Sequence, residues 1–364
     1  MEEKEKEINS KCPNCGSQLK YDGKSDKLKC ISCSSLFDIE SLGKGNLDNE
    51  EFDYHEMLNK LKETNVTKKV VSSLNCKNCG ASLMHEDNTT STICPFCGSS
   101  HIIESNVEED VIPISGVVPF KLNKDDCNKK FHEWIKRKFF APTRFKKSQF
   151  SLDLHPLYLP FWTFDMECFT RYSARRGDHR YVTVRKRNHN GEWVTERERV
   201  TDWSFRSGTC KDSFDDLMVL GSSQKNSYYI NKVCNYNFNR MEKFKPEFLI
   251  GYQSEKISLS LEQGFEIAKE KAKDEIESSI RHDVGGDECR IISYTTRYDD
   301  VTFKQVLVPM YNGIYKYNGK QYVFVMNGQT AQFAGMSPVS AIKVTTFVLS
   351  IIAFITMIVL LFVL

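Results

Sequence analysis

Eight cysteines in the N-terminal third of the chain have the spacing of metal ligands. They form two sets of four, the second set displaced by 64 positions from the first: Cys12, Cys15, Cys30, Cys33, Cys76, Cys79, Cys94 and Cys97. A Cys-x-x-Cys turn directs two thiolates to one point, and two such turns complete a tetrahedron around Zn²⁺. Four protein ligands leave no open coordination position, so we predict two structural zinc ions rather than catalytic ones.

Each set predicts a zinc ribbon, in which a short hairpin joins the two turns. Gly16 and Gly80 follow a ligand, where a positive φ costs glycine little, whereas Ser34 occupies the position that Gly98 has in the second ribbon. We expect the first ribbon over residues 1–40 and the second over 73–107. The linker, 41–72, contains a short amphipathic helix over 49–61. Its apolar stripe could dock, but the favoured interpretation is a spacer that leaves the ribbons without rigid coupling.

Other interpretations of the cysteines fit less well. Unrelated free thiols would not repeat with this spacing, and a redox Cys-x-x-Cys pair is typical of a βαβ pattern that the chain lacks here. The remaining five cysteines show no ligand spacing and are interpreted as small buried hydrophobes. These are Cys127, Cys168, Cys210, Cys234 and Cys289.

The last 21 residues, 344–364, contain no charge, proline or glycine. As a helix they would extend about 31 Å, the thickness of the hydrocarbon core of a bilayer. The charged N-terminus has no apolar signal region. We therefore predict a single-pass, tail-anchored protein of the cell membrane with its N-terminal domains in the cytoplasm, although Lys343 is the single basic residue close to the boundary.

Residues 108–335 predict an α+β domain with a mainly antiparallel sheet. Asn123 is a predicted N-cap for a helix with lysines on its polar side, and Ser260 with Gln263 predicts a capping box for a second helix. Strands are expected over 156–172, 181–186, 193–201, 255–259, 289–297, 301–310, 313–317 and 321–326. Asn318-Gly319 predicts the turn between the last two strands.

Basic residues are concentrated around the central strands: Arg171, Arg175, Arg176, Arg180, Arg185, Lys186, Arg187, Arg197, Arg199 and Arg206. Arginine beside aromatic residues can stack on bases or bind phosphates. The favoured interpretation is the exposed face of an antiparallel sheet, where neighbouring carboxylates such as Glu198 and Asp202 pair with several of the arginines. The net charge of +2 also argues against a protein that coats nucleic acid.

We predict no enzymatic activity. The nearest match to a phosphate-binding loop, beginning at Gly313, has one residue too many between its glycines and Gln321 in place of the hydroxyl. The chain has neither a His-Glu-x-x-His helix nor a Gly-x-Ser-x-Gly elbow, and no catalytic residue can be assigned.

Several motifs together resemble one bacterial family. They are Phe139-Phe-Ala-Pro142, Tyr158-Leu-Pro-Phe-Trp162, Gly285-Gly-Asp-Glu288, Tyr317-Asn-Gly-Lys320 and Asn327-Gly-Gln-Thr330. With the paired ribbons, they are similar to the TFIIB-type zinc-ribbon-containing membrane proteins that are often labelled as primosomal protein N′ (replication factor Y)-like. The helicase label disagrees with the missing nucleotide-binding motifs. Members resemble components of membrane stress assemblies encoded near relatives of phage-shock protein A, which implies a recruiting or anchoring role.

The leading hypothesis is therefore a membrane-anchored adaptor or scaffold that recruits cytosolic or membrane-associated protein partners. The second hypothesis is a membrane-tethered nucleic-acid-binding protein that uses the ribbons and the arginine-rich strands. A third, an enzyme with an unrecognised site around residues 158–165, has the least support, because no nucleophile or carboxylate pair can be assigned there.

Overall fold

The computed structural model describes residues 11–25, 27–38, 51–63, 69–84, 94–97, 99, 102–109, 112–147, 152–187, 189, 191–223 and 227–363. In these residues, two small three-stranded sheets at the N-terminal side pack against one large, mainly antiparallel sheet with helices on it. A long apolar helix ends the chain. The predicted multidomain class, two ribbons, an α+β domain and one C-terminal apolar helix, is confirmed.

The first ribbon consists of β1 (Leu19–Asp22), β2 (Lys27–Cys30) and β3 (Leu36–Phe37), all antiparallel. It does not stand apart from the central domain. Tyr21 is 1% exposed. Its ring lies edge-on to Phe248 at 4.9 Å, and its carbonyl oxygen accepts a hydrogen bond from Tyr252 Oη at 3.0 Å. The first ribbon therefore shares the core of the central domain.

The predicted spacer is also packed into the structure. The segment contains β4 (Phe52–Asp53) and α1 (Tyr54–Glu63), a little later than the predicted helix over 49–61. β4 pairs with the central sheet through Phe303, and the buried Tyr54 ring lies 4.4 Å from Phe265. The structure therefore shows that this segment is docked on the central domain, whereas the favoured interpretation of the sequence was a spacer.

The second ribbon consists of β5 (Lys69–Cys76), β6 (Ser82–Met84) and β7 (Ile102–Glu109), in the order β6-β5-β7. Its sheet extends beyond the predicted limits of 73 and 107. Phe96 is 2% exposed within the core of the central domain. Asn312 Nδ2 donates a hydrogen bond to Pro95 O, and Gln321 Nε2 donates one to Cys97 O at 2.9 Å. Both ribbons are therefore docked, which corrects the expectation of flexible links.

The central sheet is dominated by three very long strands. In addition to β4 it contains β8 (Gly116–Val117), β9 (Asp153–Arg187), β10 (Trp193–Leu220), β11 (Glu242–Lys243), β12 (Gln253–Ser254), β13 (Glu288–Tyr317), β14 (Lys320–Asn327) and β15 (Phe333–Gly335). The antiparallel path is β10-β9-β13-β14-β15, while β8 runs parallel to β13 and β12 parallel to β9.

Several predicted strands proved to be parts of longer ones. The segments 156–172 and 181–186 form one 35-residue strand, and the three segments between 289 and 317 form one 30-residue strand with two register shifts. The predicted strand over 255–259 is wrong, because the strand there is β12, Gln253–Ser254. The predicted turn at Asn318-Gly319 is confirmed, with φ values of 48° and 74°. Asn188 and Asn190 in the β9–β10 turn lie outside the described residues.

Four further helices pack on the sheet: α2 (Lys124–Arg137), α3 (Thr143–Lys147), α4 (Ser227–Val233) and α5 (Leu261–Val284). Short 3-10 turns occupy Phe238–Arg240 and Pro246–Leu249. Both predicted N-terminal caps are present, because Asn123 and Ser260 each form a capping box with the residue three positions later. Gly285, with φ 62°, is the residue that ends α5.

The last helix, α6 (Ala341–Val363), begins three residues before the predicted span. Within it, the 21 residues Ala341–Leu361 are long and apolar enough to cross a membrane, and none of the residues in its apolar window is buried inside the protein. Thr345, Thr346, Ser350 and Thr356 each direct their hydroxyl to a carbonyl oxygen of the preceding turn. These polar side chains therefore leave the helix surface apolar.

Candidate metal centres

The structure gathers the eight predicted ligands into two groups of four. Within each group the sulfur atoms all lie within 4.8 Å of one another. In the first ribbon Cys12 and Cys33 Sγ are 3.7 Å apart, and Cys15 and Cys30 Sγ are 3.5 Å apart. The corresponding pairs in the second ribbon are 3.7 and 3.6 Å apart. Each group can therefore hold one metal ion.

One backbone framework is repeated at all four turns. The N–H of the first cysteine in each turn donates to the carbonyl oxygen five residues later, at 2.7–2.9 Å, for Cys12, Cys30, Cys76 and Cys94. The residue after the second cysteine takes a positive φ where it is described: 72° at Gly16, 60° at Ser34 and 81° at Gly80. Ser34 adopts the glycine-like conformation despite its side chain, which is a local cost specific to the first ribbon.

The sulfur atoms are too close together to ionise independently. Hydrogen bonding with the Cys94 thiol, followed by burial, raises the pKa of Cys79 well above its ordinary range. Burial raises the pKa of Cys12 to about 11, whereas hydrogen bonds from Ser35 lower the pKa of Cys33 to about 6. A divalent cation would convert the clustered thiols to thiolates and remove their mutual repulsion.

The two centres differ in their exposure to solvent. In the first ribbon Cys15 and Cys33 are exposed, while in the second ribbon the only ligand that is not buried is the half-buried Cys97. Attack by chelators and oxidants depends on access to sulfur. The first centre is therefore the more accessible of the two.

A group of carboxylates that the sequence did not reveal converges near Asp165. The carboxylates of Asp165, Asp215 and Asp216 lie within 4.8 Å of one another. The ammonium group of Lys304, whose side chain is 5% exposed, lies 3.1 Å from Glu51 and 3.0 Å from Asp216. Burial raises the pKa of Asp165 to about 6. This group already contains its own cation, which ties the β4 segment to β10 and β13.

A cavity of about 540 Å³ lies where the first ribbon meets the central domain. Its lining includes Lys20, Lys29 and Lys124 together with Tyr252 and Tyr311. Burial, with the charge of Lys124, lowers the pKa of Lys20 to about 8. The cavity lies beside the shared core through which the ribbon packs on the domain.

The ten basic residues that the sequence analysis singled out do not form one patch. Cross-strand pairing places six of them on one side of the long strands: Arg171, Arg175, Arg185, Arg187, Arg197 and Arg199. The other four lie on the opposite side: Arg176, Arg180, Lys186 and Arg206. The expected pairing with carboxylates occurs on the second side, where Arg180 contacts Asp202 and Lys186 contacts Glu198.

A second basic region surrounds the start of α6. The backbone of α6 begins beside the end of α2, because Ser340 N donates to Phe140 O at 2.8 Å and Lys343 Nζ donates to Ala141 O at 2.7 Å. The rings of Phe139 and Phe140 contact Phe347. The residues on either side of this contact, 134–147, contain six cations and no acid. The cations are Lys136, Arg137, Lys138, Arg144, Lys146 and Lys147.

The fold and the sites define a protein with two metal-binding ribbons of four cysteines each, a long antiparallel sheet and one helix able to span a membrane. The chain is 30% identical over 345 residues to the uncharacterized protein YdjG of Bacillus subtilis (strain 168), an alignment that covers 93% of this chain and 92% of YdjG. The chain belongs to the YdjG family. No family model and no solved structure matches it.

Proposed function

We propose that this protein is a membrane-anchored scaffold, with two structural zinc ions, that recruits protein partners to the cytoplasmic side of the cell membrane. The observation that carries the proposal is the combination of two docked four-cysteine centres with one apolar helix, none of whose membrane-length window is buried, on the same chain. The metal ions would stabilise the ribbons that pack on the domain, and α6 would anchor the domain in the bilayer.

Zinc is the metal that suits these ligand sets best. Thiolates are soft ligands, and four of them around Zn²⁺ at about 2.3 Å would lie about 3.8 Å apart in a tetrahedron. The paired sulfur distances of 3.5–3.7 Å are close to that value. Since all four ligands come from the protein, the ions would stabilise the ribbons and leave no position for a substrate.

The basic region around the start of α6 supports an orientation with the large domain in the cytoplasm. In the sequence alone, Lys343 is the single basic residue close to the predicted membrane boundary. The contact between α6 and the end of α2 adds the cations of α2 and α3 at the same level. Cytoplasmic loops next to membrane helices are enriched in Lys and Arg, and anionic headgroups attract each such charge by about 1 kcal/mol.

A scaffold fits the remaining surfaces better than an enzyme does. In the carboxylate group near Asp165, Asp216 pairs with the buried Lys304. The exposed aromatic and arginine side chains of the long strands suit binding of another macromolecule. The membrane stress assembly implied by the family resemblance is one setting in which such a scaffold would act.

The proposal is tested by in-cell crosslinking followed by fractionation. Cells producing the full chain are compared with cells producing a chain that ends at Ser340 and therefore lacks α6. We expect the same cytosolic proteins to crosslink to both chains, in the membrane fraction with the full chain and in the soluble fraction with the shortened one. Recovery of no specific protein with either chain would refute the scaffold, and a full chain that alkaline carbonate extracts from membranes would refute the anchor.

The second candidate function is a membrane-tethered nucleic-acid binder. The observation in its favour is the set of six arginines on one side of the long strands, next to exposed aromatic rings. Nucleic-acid binding would weaken steeply with salt, because each phosphate contact releases counterions.

A further inference from the structure

The far end of the long strands, here called the arm, has two sides of very different charge. It comprises residues 167–187 of β9, 193–213 of β10 and 288–299 of β13, which are paired throughout except at one bulge. Alternate residues point to opposite sides of a sheet. We call the side that carries Arg175, Arg199 and Arg290 the basic face.

The basic face carries nine cations and three carboxylates, a net charge of +6: Arg171, Arg175, Arg185, Arg187, Arg197, Arg199, Lys211, Arg290 and Arg297, with Glu167, Glu288 and Asp299. The opposite side carries four cations and five carboxylates, a net charge of −1: Arg176, Arg180, Lys186 and Arg206, with Asp178, Glu196, Glu198, Asp202 and Asp212. The nearly neutral total charge of the chain conceals this asymmetry.

The carboxylates of the basic face are already engaged. Glu167 pairs with Lys211 at 3.0 Å and Asp299 with Arg297 at 2.8 Å. Glu288 pairs with His179 at 2.8 Å and lies 4.0 Å from Arg290. The other six arginines form no ion pair with the residues that the structure describes. On the opposite side, by contrast, α5 covers the base of the arm and Asp283 binds Tyr172 Oη.

Aromatic rings hold several of the cations in place. The Arg290 guanidinium lies 4.0 Å from the centre of the Trp203 ring, and Arg187 lies 5.3 Å from Trp193. The Trp203 ring in turn lies over Gly177, where an added Cβ would come within 3.0 Å of it. The Phe169 ring is contacted by both Lys211 and Arg297, at 5.2 and 5.3 Å.

Two kinds of anionic partner are to be distinguished. Nucleobases bind to such surfaces by stacking on open aromatic faces. Three of the five Phe, Tyr and Trp rings on the basic face, those of Trp203, Trp193 and Phe169, already stack with side-chain cations. The remaining two, Tyr181 and Phe205, are exposed. The face therefore offers more arginines without an ion pair to the described residues than open rings, which favours a partner that contributes carboxylates. A planar guanidinium held in this way is suited to paired hydrogen bonds with a carboxylate.

We propose that the basic face binds an acidic protein surface, an inference that rests on the proposed scaffold function and names the class of its partner. At about 3.3 Å per residue and about 4.8 Å between strands, the face is roughly 65 Å long, about 14 Å wide where β13 is paired and about 10 Å wide beyond Gly177, or about 800 Å² in area. Stable protein interfaces bury about 800 Å² on each partner. The face is therefore large enough to form a complete interface by itself.

The test uses the full chain in nanodiscs of phosphatidylcholine, a lipid without net charge. The probes are fluorescent poly-L-glutamate of about twenty residues, which can span the face when extended, and single-stranded oligo(dT) of equal charge. One variant removes three cations from the basic face, R185Q/R197Q/R199Q. The matched control removes three from the opposite side of the same strands, R180Q/K186Q/R206Q.

Poly-L-glutamate should bind the unaltered chain and the control with similar affinity. Its affinity for the basic-face variant should fall by about tenfold to a hundredfold, since three exposed charge pairs are lost. Equal weakening in the two triple variants, or no binding at about 20 mM salt, where screening is weak, would overturn the proposal. So would oligo(dT) binding that is tighter than poly-L-glutamate binding and lost with the basic face, which would assign the face to nucleic acid.

The same two variants separate this inference from the scaffold function in cells. If partner crosslinking to the full chain persists in the basic-face variant, the scaffold function holds and this face is not its binding surface. If neither the unaltered chain nor the control crosslinks to any protein, the scaffold function fails, whatever the affinity for poly-L-glutamate.

Discussion

Loss of metal from one ribbon should open the core cluster that this ribbon shares with the central domain, not only the ribbon. The sequence predicts that chelation, or the substitution C94S, would unfold the second ribbon and leave the central domain intact. The structure leads to the opposite expectation, because Cys94, Phe96 and Ala81 lie in the same buried cluster as Leu157 and Phe161 of β9. The first ribbon shares a different cluster, which includes Tyr158 and Cys127.

The size of the effect follows from what the second ribbon buries. Removing a fully buried phenylalanine side chain such as that of Phe96 costs about 3–5 kcal/mol. The hydrogen bonds from Asn312 and Gln321 to the ribbon backbone add about 1 kcal/mol each. The total is comparable with the whole stability of a typical domain, about 5–15 kcal/mol. Local opening of the core cluster shared with the second ribbon should therefore become at least about a thousandfold more frequent.

Two native thiols report separately on the two core clusters that the ribbons share. Cys127 is buried in the cluster shared with the first ribbon, and the half-buried Cys234 packs on the cluster shared with the second. The substitutions C33S and C97S remove equivalent ligands from the two centres. In thiol labelling resolved by peptide mass spectrometry, C97S should accelerate modification of Cys234 and C33S that of Cys127. Unchanged labelling of Cys234 in C97S would show that the domain core does not depend on the second metal centre.

Three further outcomes follow from single features. Ser34→Gly should stabilise the first ribbon by about 1 kcal/mol, because Ser34 has a φ of 60°. A chelator titration should then show tighter metal retention by the first ribbon. The reverse change, Gly80→Ser, should weaken metal retention by the second ribbon. In a chelator time course the first centre should lose its metal before the second, since Cys15 and Cys33 are exposed; simultaneous release would contradict this. Burial raises the pKa of Glu255 from its ordinary 4.5 to about 8, so the folded state binds more protons than the unfolded state between these values, and stability should fall as pH rises through this window. Urea unfolding of Glu255→Gln should show a flatter pH dependence, and an unchanged slope would exclude Glu255 as its source.

Local signals in the sequence predicted local features well. The repeated cysteine spacing anticipated both ligand groups, and the residues at Asn123 and Ser260 anticipated the starts of α2 and α5. These features depend on contacts between residues a few positions apart, or on a repeat that is visible in the chain. The alternation of arginines at 171, 175, 185 and 187 was also available as a signal that they share one side of a strand.

The long-range pairings could not be derived in this way. Lys304 and Glu51 are 253 positions apart, and neither has a local partner that marks it as part of a buried ion pair. Residues 167–187 are polar, because one side of the arm faces solvent and the other is only partly covered by α5. Apolar alternation in this stretch is interrupted, because it is present at Cys168, Tyr172 and Ala174 and again at Val182 and Val184 but absent between them. The same polarity made β9 and β13 look like several short strands.

The continuity of β9 has a consequence for how a scaffold of this kind would work. The N-terminal end of β9 pairs with the end of β13, whose Tyr315 Oη donates to Met336 O just before α6. Its C-terminal end carries the basic face. At about 3.3 Å per residue, the 34 steps from Asp153 to Arg187 correspond to a contour of roughly 110 Å. A flexible linker of this contour would let a bound partner sample many distances from the bilayer, whereas hydrogen-bonded strands, three at the base of the arm and two beyond Gly177, hold the basic face at one position relative to the start of α6. The core beneath the arm must then be rigid, and there α5 packs on Cys168, Tyr172 and Ala174 of β9.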